Sequence, residues 1–431
     1  ALVLAQRLKR LEEKRIAILL PSSVGAYVTI LATLLAGKTP VMLNWTVGKK
    51  ALEHCLLVSQ STHILSSRLF LNKLKEADFG KAEQLLIFLE DIKLSFSFKD
   101  KLLGFFSFFQ KPSSFVKGMH EDDTAVLLFT SGTENVPKAV PLSHKNILSN
   151  QKAAFSVTPL FSSDVFLGAL PPFHSFGFSV TGLLPLFCGL AVFYSPDPTD
   201  SQTLLEAVRS WNISIFISAP TFIQALLRIA SKEDLSSLRL VVAGAEKTPE
   251  ILFTKLREWG KQLIEGYGVT ECSPIVTLVR PSSERKGVGT PLAGIKILIL
   301  NLETKNAQPC LQEGEICIHG ASVFRGYEGK NVKNRFISLY GKSWYQTGDL
   351  GYVDEKGNLY LSGRLKRFTK IGGEMVSLGG LEEEILDCLI SITYIEEIIR
   401  EKMDEINCLR TGGKQKQKNI DFEELERQLR K

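Results

Sequence analysis

Residues Ile16 to Leu43 read IAILLPSSVGAYVTILATLLAGKTPVML, the most apolar stretch of the chain. Pro21, Ser22 and Ser23 interrupt it before the ~18 to 20 uninterrupted apolar residues of a membrane span accumulate. It divides better into strand, helix and strand. Ile16 to Leu20 is short and wholly apolar, as in a strand buried on both faces. Ser22 or Ser23 is placed to cap a helix, Gly37 ends that helix, and Pro40 to Leu43 is the next strand. The alternation returns at Asp164 to Leu170, Leu190 to Tyr194, Ile213 to Ser218 and Leu238 to Ala243, with helical spacing between them. The expected fold class is therefore α/β, a layered architecture with mostly parallel sheets between helices.

Between the first group of strands and the second lies TSGTENVPK, Thr130 to Lys138, set between an apolar strand-like run and a predicted helix. A small Gly132 lets backbone N–H groups approach an anion. Thr130, Ser131 and Thr133 add hydroxyl donors and Lys138 a point charge, so the stretch is suited to phosphate. It lacks the Gly-Lys-Ser/Thr ending of the common nucleotide P-loop, and alone it also reads as an ordinary turn. Further on come VVAGAEK (Val241 to Lys247) and GYGVTECSP (Gly266 to Pro274), each an apolar strand running into small residues, where an open α/β sheet places ligands. They are followed by WYQTGDLGY (Trp344 to Tyr352) and GRLKRFTKIGGEMVS (Gly363 to Ser377).

In order and spacing these segments resemble the core motifs of the adenylate-forming superfamily of acyl-CoA synthetases, peptide-synthetase adenylation domains and luciferases. PPFHSFG (Pro171 to Gly177), GAEK, GYGVTECSP and KRFTKIGGEMVSL look most like the acyl-acyl carrier protein synthetases, including the synthetase half of the fusions with lysophospholipid acyltransferases. The resemblance covers residues 1 to about 380. It implies a large nucleotide-binding domain over 1–364 and a small mobile one over 365–431, with Lys366 at the hinge. It also implies a two-step reaction. A fatty acid carboxylate attacks the α-phosphorus of ATP, and a thiol, on acyl carrier protein or on coenzyme A, then displaces AMP.

The same resemblance assigns roles. Thr130 to Thr133 and Lys138 hold the β- and γ-phosphates, Glu271 binds Mg2+, a hard cation suited to a carboxylate, and Thr270 touches the α-phosphate. Tyr267, between Gly266 and Gly268, offers its face to adenine, and Gly244, Ala245, Glu246 and Lys247 form the opposite wall. Asp349 accepts from the ribose hydroxyls, Arg364 reaches ribose or phosphate, and His174 lies beside the acyl carboxylate. Bland alternatives stand beside these: core packing for Tyr267, a turn for Thr347-Gly348-Asp349, a helix-start carboxylate for Glu271 and a hydrogen-bonded core histidine for His174.

Two departures accompany the resemblance. Glu134-Asn135 and Ala139 stand where many relatives have Thr-Gly and Gly, and the region after Lys366 is short, with 381–409 reading as helix rather than strands. The expected C-terminal lysine is best matched by Lys414 in TGGKQKQK, with Lys416 and Lys418 as alternatives and a solvated lysine-rich end as the plain one. A third functional class is therefore a nucleotide- and acyl-binding protein that has lost turnover. VDEKGNLYLSG, from Val353, reads as a hairpin ahead of the hinge.

Composition adds bounds. The chain has 431 residues, 44% hydrophobic and 23% charged, with net charge +6, which is mild and calls for no nucleic-acid partner. Seven cysteines without a C-x-x-C pair read as reduced thiols of a cytoplasmic protein, and no secretory signal is visible. Ala1 falls inside a helical pattern, so the start reads as truncated. KDKLLGFFSFFQK, Lys99 to Lys111, reads as a buried helix or inserted loop, with a peripheral segment at the inner membrane surface as the alternative.

Overall fold

A computed structural model describes residues 1–74, 78–107, 109–110, 114–115, 118–130, 136–280, 285–330, 332–365, 368–371 and 374–377. The chain separates into two compact units, Ala1–Ser362 and Gly363–Lys431.

In the first unit the apolar stretch divides as its sequence requires. Arg15–Ile18 (β1) and Thr39–Met42 (β2) pair in parallel and flank the helix Val24–Leu35. Ser23 Oγ caps that helix by accepting from the Ala26 backbone N–H at 3.1 Å, and Gly37 leaves it at φ +74°. With Ile64–Ser66 (β3), Leu86–Phe88 (β4), Thr124–Thr130 (β5) and Lys138–Ser143 (β6) they form a sheet of order β4-β3-β1-β2-β5-β6. All its pairings are parallel except β5 with β6. The second sheet, of order β13-β12-β11-β10-β9-β7-β8, contains Val165–Gly168 (β7), Ala191–Tyr194 (β8), Ile215–Ser218 (β9), Leu240–Ala243 (β10), Gln262–Gly268 (β11), Ile275–Leu278 (β12) and Thr290–Pro291 (β13). One continuous core joins Ile18, Val126, Phe166, Phe178, Val242 and Ile316 across the three sheets, and separate apolar clusters cover the other faces, around Phe216 on the second sheet and Leu127 on the first. The α/β expectation holds.

Three local expectations change. A helix is expected directly after Lys138; instead β6 runs back antiparallel to β5 with Thr130 opposite Lys138, and the helix begins only at His144. KAVPLS has strand-like burial, and Pro141 is tolerated because β6 lies at the sheet edge. Ser143 then caps the helix His144–Phe155 in a reciprocal pair with Asn146. Second, Gly266-Tyr267-Gly268 lies in β11 rather than in a loop: Leu240–Ala243 pairs its first half in parallel and β12 its second half antiparallel. Gly268 is required there because a Cβ would lie 2.2 Å from the Pro274 carbonyl oxygen. Third, Phe98–Ser107 is a helix, but not a buried one: Phe98, Phe105 and Phe106 are exposed, and only its Gly104 and Ser107 are buried.

A third, antiparallel sheet holds Ile295–Leu300 (β14), Gly314–Gly320 (β15), Phe336–Leu339 (β16), Lys342–Val353 (β17) and Leu359–Arg364 (β18). The hairpin at Asp354 to Gly357 is the β17–β18 connection; the rest of the sheet is not anticipated by the sequence reading. In the second unit Phe368–Ile371 pairs antiparallel with Glu374–Ser377. No helix among the described residues is long and apolar enough to cross a membrane.

Candidate functional site

Lys138 and Glu271, far apart in sequence, meet through Tyr327. Lys138 opens β6, and its Nζ stands 5.4 Å from the centroid of the Tyr327 ring, within range of a cation–π contact. The Tyr327 hydroxyl donates to Glu271 Oε1 at 2.6 Å and lies 2.9 Å from the Tyr345 hydroxyl. Glu271 is 7% exposed in the short turn Thr270–Cys272. Burial and then the Glu271 carboxylate raise the Tyr327 phenol well above its ordinary pKa, so it remains a donor. Cys272 next door is likewise pushed up, by burial and then by Glu271 and Asp349, and stays a thiol.

The backbone explains the meeting. The Glu328 N–H donates to the Ala139 carbonyl at 3.0 Å, tying the segment carrying Tyr327 to β6 beside Lys138. The Phe324 N–H donates to the Glu271 carbonyl at 2.8 Å, and Ser273 Oγ to the Ser322 carbonyl at 2.9 Å. Asn146 Nδ2 reaches the Ala321 and Val323 carbonyls from the helix after β6. One segment, 321–328, is thus stitched to both the lysine strand and the carboxylate turn.

A second pair lies in the same unit. The Tyr267 hydroxyl donates to Asp349 Oδ2 at 2.6 Å, both residues being buried. Burial and the Asp349 carboxylate raise the Tyr267 phenol well above its usual range. Asp349 sits in β17 after Gly348, whose φ of +80° favours glycine and whose Cβ position lies 2.6 Å from Arg335 Nη1. The turn hangs from Glu315 on β15, 1% exposed, which accepts from Arg335 Nη2 at 2.6 Å, Gln346 Nε2 at 2.8 Å and the Gly348 N–H at 3.1 Å.

Thr270 Oγ1 is 3.1 Å from Ser175 Oγ, which brings PPFHSFG to the Glu271 turn. His174 is exposed, so the core-histidine alternative fails; surrounding protein nevertheless lowers its pKa by desolvation and favours the neutral imidazole. Gly244 faces Phe176 Cζ at 3.3 Å and the Gly266 carbonyl at 3.6 Å from its Cβ position, so the three motifs converge. Ala245 stands at φ +75°, a left-handed conformation that costs an L-residue energy. Glu246 Oε2 accepts from Thr221 Oγ1 at 2.6 Å, and Glu246 and Lys247 are exposed. Thr130 ends β5 and Arg364 ends β18. Ser131, Gly132, Thr133, Lys366, Lys414, Lys416 and Lys418 lie outside the described residues.

Tyr327, Tyr345 and Glu315 escape the sequence reading. Tyr345 falls inside WYQTGD without a distinctive neighbour. Tyr327 carries a turn signal, with Gly326 and Gly329 at φ +141° and +129°. Glu315 carries the better one: an acid directly before the apolar run Ile316 to Ile318 of the strand GEICIHG.

Mg2+ fits this donor set only jointly with phosphate. Among the described residues no three His, Cys, Asp or Glu side chains form a metal-binding group. Glu271 Oε2 takes no hydrogen bond from the described residues, and a hard cation is commonly shared between one carboxylate and substrate phosphate oxygens.

Comparison with known proteins gives consistent relatives. The family described as AMP-binding enzyme matches residues 1–328. A medium-chain fatty-acid–CoA ligase of Escherichia coli (strain K12) is 34% identical over 277 residues, 62% of this chain and 48% of the relative. A long-chain-fatty-acid–CoA ligase of Bacillus subtilis (strain 168) is 26% identical over 417 residues, 89% of this chain and 73% of the relative. The chain spans about half the length of the curated relatives it matches at 30% identity or more. Among solved structures, apo MatB from Rhodopseudomonas palustris superimposes with a TM-score of 0.71 at 25% identity, covering 87% of this chain and 75% of that one.

Proposed function

The chain belongs to the AMP-binding enzyme family, and from that premise we propose that it joins a fatty acid carboxylate to the α-phosphate of ATP, releasing pyrophosphate, and then transfers the acyl group to a phosphopantetheine thiol, releasing AMP. The supporting observation is the Lys138–Tyr327–Glu271 cluster: a cation and a carboxylate held a phenol apart, from strands and turns of different parts of the chain.

The first step sets an anion against an anionic phosphate, so positive charge and fixed donors lower its barrier. Lys138, with the segment Thr130 to Thr133, takes the β- and γ-phosphates. Glu271 holds Mg2+, which when bound offsets phosphate charge. Thr270, beside Ser175, contacts the α-phosphate. Asp349, fixed by Tyr267, accepts from the ribose, while the Tyr267 ring and Gly244 to Lys247 enclose the base. His174, favoured neutral, orients the acyl carboxylate without binding it as an ion pair. By the resemblance Arg364 is assigned to ribose or phosphate, Lys366 to the hinge and Lys414, as the best match, to the tail lysine.

Two acceptors share the proposed thiol chemistry. The names of the relatives, fatty-acid–CoA ligases, support coenzyme A; the likeness of PPFHSFG and KRFTKIGGEMVSL to carrier-protein synthetases supports acyl carrier protein. Fatty-acid-dependent exchange of labelled pyrophosphate into ATP tests the adenylation, and each thiol supplied separately identifies the acceptor. Lys138→Ala and Glu271→Ala each abolish exchange in protein that remains folded; wild-type exchange in either variant overturns the proposal.

A further inference from the structure

The helix Phe98–Ser107 presents its apolar side to solvent. Its protein side is made of small residues: a Cβ on Gly104 would meet Val3 Cγ2 at 2.2 Å, and Gln6 Nε2 donates to Ser107 Oγ at 3.4 Å, both partners lying on the helix Leu2–Leu8. Asp100 also turns inward, accepting from the Ser97 N–H at 2.9 Å and pairing with Arg10 at 3.7 Å. At 3.6 residues per turn the opposite face aligns Phe98, Leu102 and Phe105, with Phe106 beside them, and the Phe109 ring beyond the helix lies 5.4 Å from that of Phe105. Exposures are 80% for Phe98, 60% for Phe105, 57% for Phe106 and 70% for Phe109. The same periodicity sets Lys101 on one shoulder of the stripe and Lys99 on the other, and among the described residues neither pairs with a carboxylate.

We propose that this face docks on a lipid bilayer containing anionic headgroups, with the phenylalanines entering the interface and Lys99 and Lys101 lying among the phosphates. An apolar stripe with lysines on both shoulders is complementary to such a surface, since the stems can run along the apolar layer while the ammonium groups stay with charge. A second copy of the chain is a poorer occupant: packing two such stripes face to face sets lysine shoulders against lysine shoulders. The inference is independent of the assignment of the adenylation site.

Vesicle sedimentation of the purified chain tests it, with phosphatidylcholine alone against equimolar phosphatidylcholine and phosphatidylglycerol. The chain is expected to sediment with the mixed vesicles at low salt. The variant Phe105→Ser/Phe106→Ser/Phe109→Ser loses on the order of 100-fold in partitioning. Lys99→Glu/Lys101→Glu loses at least about 10-fold, and that difference shrinks at high salt. All substituted side chains face solvent, so urea midpoints stay near wild type; should the serine variant unfold, the charge-reversed variant carries the test. No preference of the wild-type chain for mixed vesicles overturns the proposal, as does equal binding by both folded variants. A concentration-dependent dimer, abolished by the serine substitutions and formed without vesicle binding, assigns the face to a second copy and overturns it too.

Discussion

Replacing Tyr327 with phenylalanine separates two jobs of one side chain. The ring stays, and with it the edge contact to Phe324 at 4.9 Å and the position under Lys138. What disappears is the hydroxyl that donates to Glu271 at 2.6 Å and sits 2.9 Å from the Tyr345 hydroxyl. A hydrogen bond to a charged acceptor contributes about 1.5–3 kcal/mol, and a buried hydroxyl left without its partner costs about 1–3 kcal/mol. Tyr345 is 2% exposed, so both effects apply, and a loss of about 2–4 kcal/mol is expected, within the ~5–15 kcal/mol of a typical domain. Urea unfolding of the two proteins measures it directly. In the proposed reaction the untethered Glu271 must be ordered by the cation itself. About 1.5–3 kcal/mol then corresponds to a 10- to 100-fold higher half-saturating Mg2+ in pyrophosphate exchange, with most of the rate recovered at saturation. An unchanged urea midpoint refutes the hydrogen bond; an unchanged Mg2+ titration in a destabilised variant refutes the positioning role.

Asp349→Ala is expected to weaken ATP and AMP binding far more than pyrophosphate binding, because only the first two carry a ribose; calorimetric titration giving equal losses for all three would point to a global effect. Ala245→Gly relieves a left-handed alanine and is expected to raise stability by about 1 kcal/mol in urea, a gain that disappears if the loop tolerates φ +75° without strain. For Asp164, burial raises the pKa, but Arg239, the Phe161 N–H and the Ser214 hydroxyl together bring it below the ordinary carboxylate value. The folded state therefore binds fewer protons there than the unfolded chain. Its stabilisation is present above the unfolded pKa and is lost as pH falls below about 4 and through the lower folded value. Asp164→Asn should cost about 2–3 kcal/mol at neutral pH, Arg239 being partly exposed, and should flatten the decline of the urea midpoint between pH 5 and 3, values chosen to span that window.

Legibility followed the range of the interaction. Strand–helix–strand at Ile16 to Leu43 could be read because caps, glycines and buried apolar runs act locally, and Ser23 and Gly37 act where the sequence puts them. The failures are tertiary. Whether KAVPLS continues as strand depends on β5 offering a partner, and Gly266 to Gly268 become strand because β12 returns to pair with them. The helix Phe98–Ser107 has a clear periodicity, but the side facing the protein is fixed by Val3 fitting against Gly104, a contact between distant segments. In the site, Glu271, Asp349 and Tyr267 stood out within motifs, whereas Tyr327, and the bond from Tyr267 to Asp349, could only be assigned once separate strands were brought together.

Glu315 has a consequence for recombination. Its carboxylate collects donors from Arg335, Gln346 and the Gly348 backbone, so residues scattered across β15, the approach to β16 and β17 form one inheritable block. A crossover between Gly320 and Gln346 with a homologue that lacks Arg335 or Gln346 would import Glu315 without its guanidinium or its amide, leaving a buried charge under-partnered at a cost of several kcal/mol. Viable chimeras should therefore take their junctions before Gly314 or after Asp349, and exchange the turn that presents Asp349 only together with the strand from which it hangs.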